Sequence, residues 1–434
     1  MKTRSALMAS CAAAALSTAV TAAEPPPRTT VLKAARLFDG RGDSVIRNAV
    51  IVVAGGKIQL VGADLAVPAG AEVIDLGDAT LLPGFIDAHT HLSGESTENW
   101  LQGAMAGMRR VVAESAVRAT EYARRTAMAG FTTVRDVGSG DFIDVGLRNA
   151  INAGVVPGPR MLVAVNSLGA RGGHCDRTGF PYMLFGNEPG MADGIAAGGA
   201  GFRDAVRFQV KYGADVIKVC ATGGVLSLSD EVDTPQLTQE EMDALVDEAH
   251  RLRRKTAAHA HGAEGAKVAI RAGIDSIEHG SFLDDEAIRM MKERGTYLVP
   301  TAMAVKYVTS PTRSYPPEIA AKARAAADAH GAAFRRAIQA GVKIAFGTDS
   351  GVSPHGLNAQ EFGLMVDHGM SPAAALRAGT SVAATLLGLE RVVGTLEPGK
   401  EADIVAVGGD PLADIRATEK VSFVMRAGKV LRRE

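Results

Sequence analysis

A chain of 434 residues that is 47% hydrophobic and 22% charged can bury a large core, and this composition excludes disorder and collagen-like repeats. A formal net charge of -1 leaves no basic footprint for nucleic acid, so a small molecule is the expected partner. Length alone favours two or three domains, although α/β barrels run past about 250 residues as one unit.

The first segment, MKTRSALMASCAAAALSTAVTAAEPPPR, opens with Lys2 and Arg4, continues as an apolar run and ends in Thr21, Ala22 and Ala23 before a proline-rich break. This is the layout of a cleavable secretory signal peptide, residues 1–23, and the run is too short and too alanine-rich for a membrane span. The expected localisation is periplasmic or secreted. Cys11 follows Ala9 and Ser10, but the apolar run continues beyond it, which argues against lipidation. Cleavage leaves Cys175 and Cys220. An oxidising compartment permits a disulfide between them, yet Cys220 sits in an apolar strand-like run and reads better as a small buried hydrophobe.

Short β-rich runs follow in residues 24–84 (VLKAARLF, NAVIVVAGGKIQLVG, AEVIDLGDATLL), and residues 391–434 have the same texture. The two ends are therefore expected to assemble one small β-sandwich domain. Between them, in residues 85–390, apolar strands alternate with amphipathic helices. The strands are GFIDAH, FTTVRDV, RMLVAV, ADVIKVCA, KTAAHA, SIEH, TYLVPT and KIAFGTD. A typical helix is LTQEEMDALVDEAHRLRR, in which Thr238 and Glu241 form a capping box. No glycine-rich dinucleotide loop follows the first strand, so the fold class is α/β, a (β/α)8 TIM barrel rather than an open doubly wound sheet.

In such a barrel chemistry belongs at the C-terminal strand ends. His89 and His91 close the first strand, Lys218 lies in the fourth, His259 in the fifth, His279 ends the sixth and Asp349 ends the eighth. Singly, each has a plainer reading: a strand-end histidine is commonly a hydrogen-bonded structural residue, and an aspartate before Ser-Gly is commonly a turn or cap. Lys218 is harder to dismiss, because an unpaired buried ammonium costs several kcal/mol. Six metal-competent groups on five strands are expected to converge on one rim.

With GFIDAHTHL, the strand lysine, HAHG, SIEHGS and GTDSG on the page, the chain resembles the metal-dependent amidohydrolase superfamily. TTVRDVGS, NSLGARGGHCD, VIKVCATGGVLS and GTLEPGKEADIVAV make it similar to the imidazolonepropionase-like branch, with its Xaa-Pro dipeptidases, related carboxypeptidases and ochratoxin-hydrolysing amidohydrolases. The resemblance implies that His89, His91 and Asp349 bind the buried metal and that His259 and His279 bind the second. Lys218, N-carboxylated by CO2, would bridge both. Two divalent ions bring about +4, against about -3 from Asp349, the carbamate and a bridging hydroxide. Zinc is the expected metal, since imidazole and carboxylate with open positions suit it; manganese or cobalt would also fit. Such a pair lowers a shared water's pKa to about 7, and Asp349 would take its proton and pass it to the leaving nitrogen.

His259 and His261 stand two apart on one strand and point the same way, so spacing leaves open which is the ligand. The resemblance assigns His259 and leaves His261 as a pocket residue. His174, in ARGGHCD, resembles a residue that contacts substrate, with a carboxylate as the expected partner. Thr222, Gly223 and Gly224 follow the lysine strand, where small residues let backbone approach a ligand. Arg135 and Asp136 are expected to form a structural ion pair beneath the site.

The leading expectation is an exported binuclear hydrolase of dipeptide-like or N-acyl amino acid amides, including Xaa-Pro dipeptides and ochratoxin A. A cyclic amide or lactone hydrolase is the enzymatic alternative, and a noncatalytic binding protein on the same scaffold is the alternative of another class. A mononuclear deaminase has no place for a bridging lysine. Relatives imply a large homo-oligomer, such as an octamer.

Overall fold

The computed structural model describes residues 29–434 apart from 182, 183, 185 and 187. The expected signal segment, with Cys11, lies outside the described residues. Among those described, no helix is long and apolar enough to cross a membrane.

The chain ends build one eight-stranded sheet. Thr30–Leu37, Ile46–Ala54, Lys57–Ala63, Glu72–Asp75 and Ala79–Pro83 come from the N-terminal end, and Ile404–Gly408, Val421–Arg426 and Lys429–Arg433 from the C-terminal end. The two sets join where Ala79–Pro83 pairs antiparallel with Ile404–Gly408, Leu82 opposite Val405. Side chains alternate across a strand, and both faces of this seam are covered. Ile404 and Ala406 enter the sheet's own core with Leu32, Ile51 and Leu81, while Val405 and Val407 enter the barrel core with Leu82. That double burial explains why IVAV carries no polar alternation.

The barrel runs through Phe85–Thr90, Phe131–Asp136 and Arg160–Val163, then Val216–Cys220, Lys255–Gly262, Ser276–Phe282 and Tyr297–Val299, all parallel within each set. Leu168 bridges the sets: its N–H donates to Lys218 O, and it accepts from Cys220 N–H, both at 2.8 Å. The eighth run, residues 343–349, closes the ring through irregular backbone rather than a continuous ladder. Leu298 N–H donates to Lys343 O at 2.9 Å, and Ala88 N–H to Phe346 O at 2.9 Å. Glycine is required within this run, since a Cβ on Gly347 would meet Val299 Cγ1 at 2.3 Å and His89 Cβ at 2.9 Å. Outer helices pack their apolar stripes on this ring. In Gln239–Arg251, Met242, Leu245, Val246 and Ala249 are buried, and the capping box at Thr238 and Glu241 is formed.

Candidate metal centre

The C-terminal ends of the barrel strands open into a cavity of about 900 Å³ whose wall includes His89, His91, Lys218, His259, His279 and Asp349. Two of the side chains turn in through unusual backbone. His279 has φ 71° and Asp349 φ 56°, left-handed conformations that non-glycine residues adopt only where the surroundings enforce them. Two groups of potential ligands form. His89, His91 and Asp349 make one and His259, His261 and His279 the other, and within each group the ligand atoms lie within 4.8 Å of one another. The groups abut, with the rings of His89 and His279 5.0 Å apart.

Hydrogen bonds behind the rings set their tautomers. His89 donates from Nδ1 to Glu278 Oε2 at 2.7 Å, and His91 from Nδ1 to Gly138 O at 2.8 Å, so both keep an Nε2 lone pair. Asp349 Oδ1 lies 3.5 Å from the first of these nitrogens and 3.4 Å from the second. Two imidazole lone pairs and a carboxyl group thus face one point, an arrangement that a cation resolves. In the other group His259 donates from Nε2 to Gly223 O at 3.1 Å and retains Nδ1, while His279 Nδ1 meets Thr301 Oγ1 at 2.8 Å and leaves Nε2. His261 Nδ1 is 2.9 Å from Ser281 Oγ, so its Nε2 also remains. The donor set therefore fits divalent metal ions.

Burial keeps these rings neutral, which metal ligation requires. It depresses His89, His259 and His279 well below the ordinary histidine range, His91 to about 4 and His261 to about 3. Asp349 is pushed up to about 7 by burial, against the attraction of Lys218. Lys218 is 3% exposed and forms no ion pair or hydrogen bond through its amine among the described residues. Burial lowers it to about 8 despite Glu278 and Asp349, so the reactive free amine is accessible near neutral pH.

Arg135 and Asp136 do not pair, contrary to the sequence expectation. Adjacent residues on a strand face opposite sides. Arg135 points into the barrel, donating from Nη2 to Glu278 Oε1 at 2.8 Å and from Nη1 to Ser276 Oγ at 3.0 Å. Asp136 points away and accepts from Leu92 N–H. Burial, then the nearby Asp144 carboxyl, pushes Asp136 upward.

His174 sits in the cavity wall, its ring stacked 4.3 Å from that of His259. Its N–H donates to Gln236 Oε1 at 2.9 Å, and Nδ1 meets Ser227 Oγ at 2.8 Å. Gly224 makes room for it, because a Cβ there would meet the ring at 2.2 Å. Thr222 and Gly223, the other expected substrate contacts, follow the Lys218 strand and are not among the residues that line the cavity. Thr222 Oγ1 donates to Gly223 O at 2.8 Å and accepts from His261 N–H at 3.0 Å, and the space beside Gly223 is taken by Glu231 O. Cys175 and Cys220 are joined by a disulfide, Cα atoms 5.9 Å apart, where an unpaired buried Cys220 was expected. The crosslink ties the His174 loop to the Lys218 strand.

Glu278, the residue that orients His89, escaped the sequence reading although it lies inside SIEHGS. An acid within an apolar strand was the available signal. Thr301 and Ser227, which hold His279 and His174, carried none.

The Amidohydrolase family model matches residues 80–431. Ochratoxinase of Aspergillus niger is 33% identical, the alignment covering 95% of this chain and 88% of that one. Among solved structures, a Xaa-Pro dipeptidase with bound methionine in the active site superposes with a TM-score of 0.89 at 40% identity, covering 93% of this chain and 99% of that one. A prolidase complexed with N-methylphosphonate-L-proline gives 0.84 at 29% identity, covering 94% and 100%.

Proposed function

The chain belongs to the amidohydrolase family and is a hydrolase of amide bonds, and from that premise we propose a binuclear metallohydrolase whose substrates are dipeptide-like or N-acyl amino acid amides. Xaa-Pro dipeptides and ochratoxin A are the first candidates, by likeness to the Xaa-Pro dipeptidase and the ochratoxinase. The observation that carries the reading is the pair of abutting ligand groups, His89–His91–Asp349 and His259–His261–His279, in one cavity with the unpartnered amine of Lys218.

In this reading His89, His91 and Asp349 hold one divalent ion and His259 and His279 the other, with His261 lining the pocket. Zinc suits these donors. Lys218, as its Nζ-carbamate, would supply a further carboxylate ligand and would replace a buried positive charge with a negative one. When bound, the ions supply Lewis-acid polarisation of the scissile carbonyl and lower the pKa of a water to about 7. Asp349 takes the proton of the attacking water on a carboxylate oxygen and returns it to the leaving nitrogen. His174, stacked on His259 in the cavity wall, is a substrate-contacting residue in this reading.

The test uses purified, zinc-loaded protein on a panel of Xaa-Pro dipeptides, N-acyl amino acids and ochratoxin A, with metal counted by plasma emission. Hydrolysis that requires about two ions per chain and disappears with a chelator is expected. Tightly held zinc with turnover of no amide would overturn the proposal.

A further inference from the structure

The charged side chains of the cavity wall are mostly compensated. Glu95 pairs with Arg125 at 2.8 Å, Arg110 with Glu114 at 3.6 Å and Asp193 with Arg177 at 2.9 Å. Arg313 is different. Its Nη1 donates to Thr97 O at 3.3 Å and its Nη2 to Val352 O at 3.0 Å, both neutral carbonyls, and it forms no ion pair among the described residues. Two of five N–H donors are thereby used, and although the guanidinium lies 5.8 Å over the Tyr307 ring, no anion balances its charge at the cavity. Two residues on, Tyr315 also lines the cavity, and its buried hydroxyl has no hydrogen-bond partner among the described residues. The intervening Ser314 is held by backbone bonds, its N–H donating to Glu98 O at 2.8 Å and its carbonyl accepting from Trp100 N–H at 3.0 Å. In extended backbone, residues two apart share a face, so Arg313 and Tyr315 are presented together.

We propose that Arg313 and Tyr315 form the subsite that binds a free carboxylate of the substrate, which selects acids over their blocked counterparts. This deepens the amide-hydrolase reading and rests on it. A carboxylate supplies both missing partners, since it balances the guanidinium and accepts from the phenol.

The test compares N-acetyl-L-phenylalanine with its carboxamide as substrates, and N-methylphosphonate-L-proline with its carboxamide as inhibitors of the zinc-loaded protein. For the native chain the acid is preferred in both pairs. In Arg313→Leu that preference falls at least about tenfold, the loss of a charge-assisted hydrogen bond. Arg313→Lys keeps part of it, and Tyr315→Phe lowers it severalfold. Equal weakening of acid and carboxamide, or no change in any variant, overturns the subsite. Should Arg313→Leu fail to fold, the other two variants decide. A native chain that turns over no amide but still binds the acid preferentially in an Arg313-dependent way sinks the hydrolase reading and leaves the subsite standing. Turnover with a preference indifferent to Arg313 does the reverse.

Discussion

The carboxylate of Glu278 accepts a hydrogen bond from Nδ1 of His89 at 2.7 Å, while its other oxygen holds Arg135 at 2.8 Å. One buried acid therefore sets the tautomer of a proposed ligand and neutralises a buried guanidinium. Glu278→Gln keeps the shape but loses the charge, and outer partners of this kind are worth about 10- to 100-fold in metal affinity. Chelator competition should show that loss. An unchanged affinity would mean that the ring is oriented by its strand alone.

Lys218 has the proposed bridging role, and its replacement tests that role separately from the histidines. Lys218→Ala should lower turnover by at least about 100-fold, with partial recovery on adding a short carboxylate such as acetate or propionate. The native lysine predicts a pH effect as well. Carbamate forms from the neutral amine, which dominates above about 8 and declines about tenfold per unit below it. Activation of metal-free protein by zinc and bicarbonate should thus be faster at pH 8.5 than at 6.5. Equal rates after correction for the bicarbonate equilibrium would count against the modification.

Legibility differed by scale. The barrel and its rim could be read because its strands are short apolar runs and the chemistry-bearing polar residues stand out within them or at their C-terminal ends, a pattern one strand imposes on its own sequence. His89, Lys218, His279 and Asp349 were found in that way. Contacts across the barrel leave no such trace: Arg135 and Glu278 are 143 positions apart and meet only when the ring closes. Neighbourhood in sequence suggested Asp136 instead, against the alternation of a strand. The left-handed turns at His279 and Asp349, and the pairing of Cys175 with Cys220, likewise follow from loops whose course the local sequence does not specify.

The disulfide closes a loop across 45 positions, and chain entropy assigns such a crosslink about 2 to 4 kcal/mol. Cys175→Ser, or reduction confirmed by a thiol count on the denatured chain, should lower the melting temperature by several degrees. The KM should also rise more than kcat falls, since the loop freed by reduction carries His174. A fall in kcat with KM unchanged would show instead that the crosslink acts on the Lys218 strand.

Asp275 lies just before the sixth barrel strand, outside the cavity wall, and gives a stability signal separable from activity. Burial works to raise its carboxyl, but hydrogen bonds from His250 Nε2 at 2.9 Å and Lys255 Nζ at 2.7 Å, together with Thr256 N–H at 2.9 Å, outweigh it and hold the group at about 2. A folded value below the ordinary 3.8 means that the unfolded chain binds more protons in this window. The contribution, about 2 kcal/mol, is therefore fully present above about pH 4 and lost as pH falls through 2. Asp275→Asn removes the titration and leaves the pH-independent packing cost. The gap in urea midpoint between the native chain and this variant should narrow steadily from pH 5 downward. A gap constant over that range would mean that the carboxylate gains nothing from its partners in the folded state.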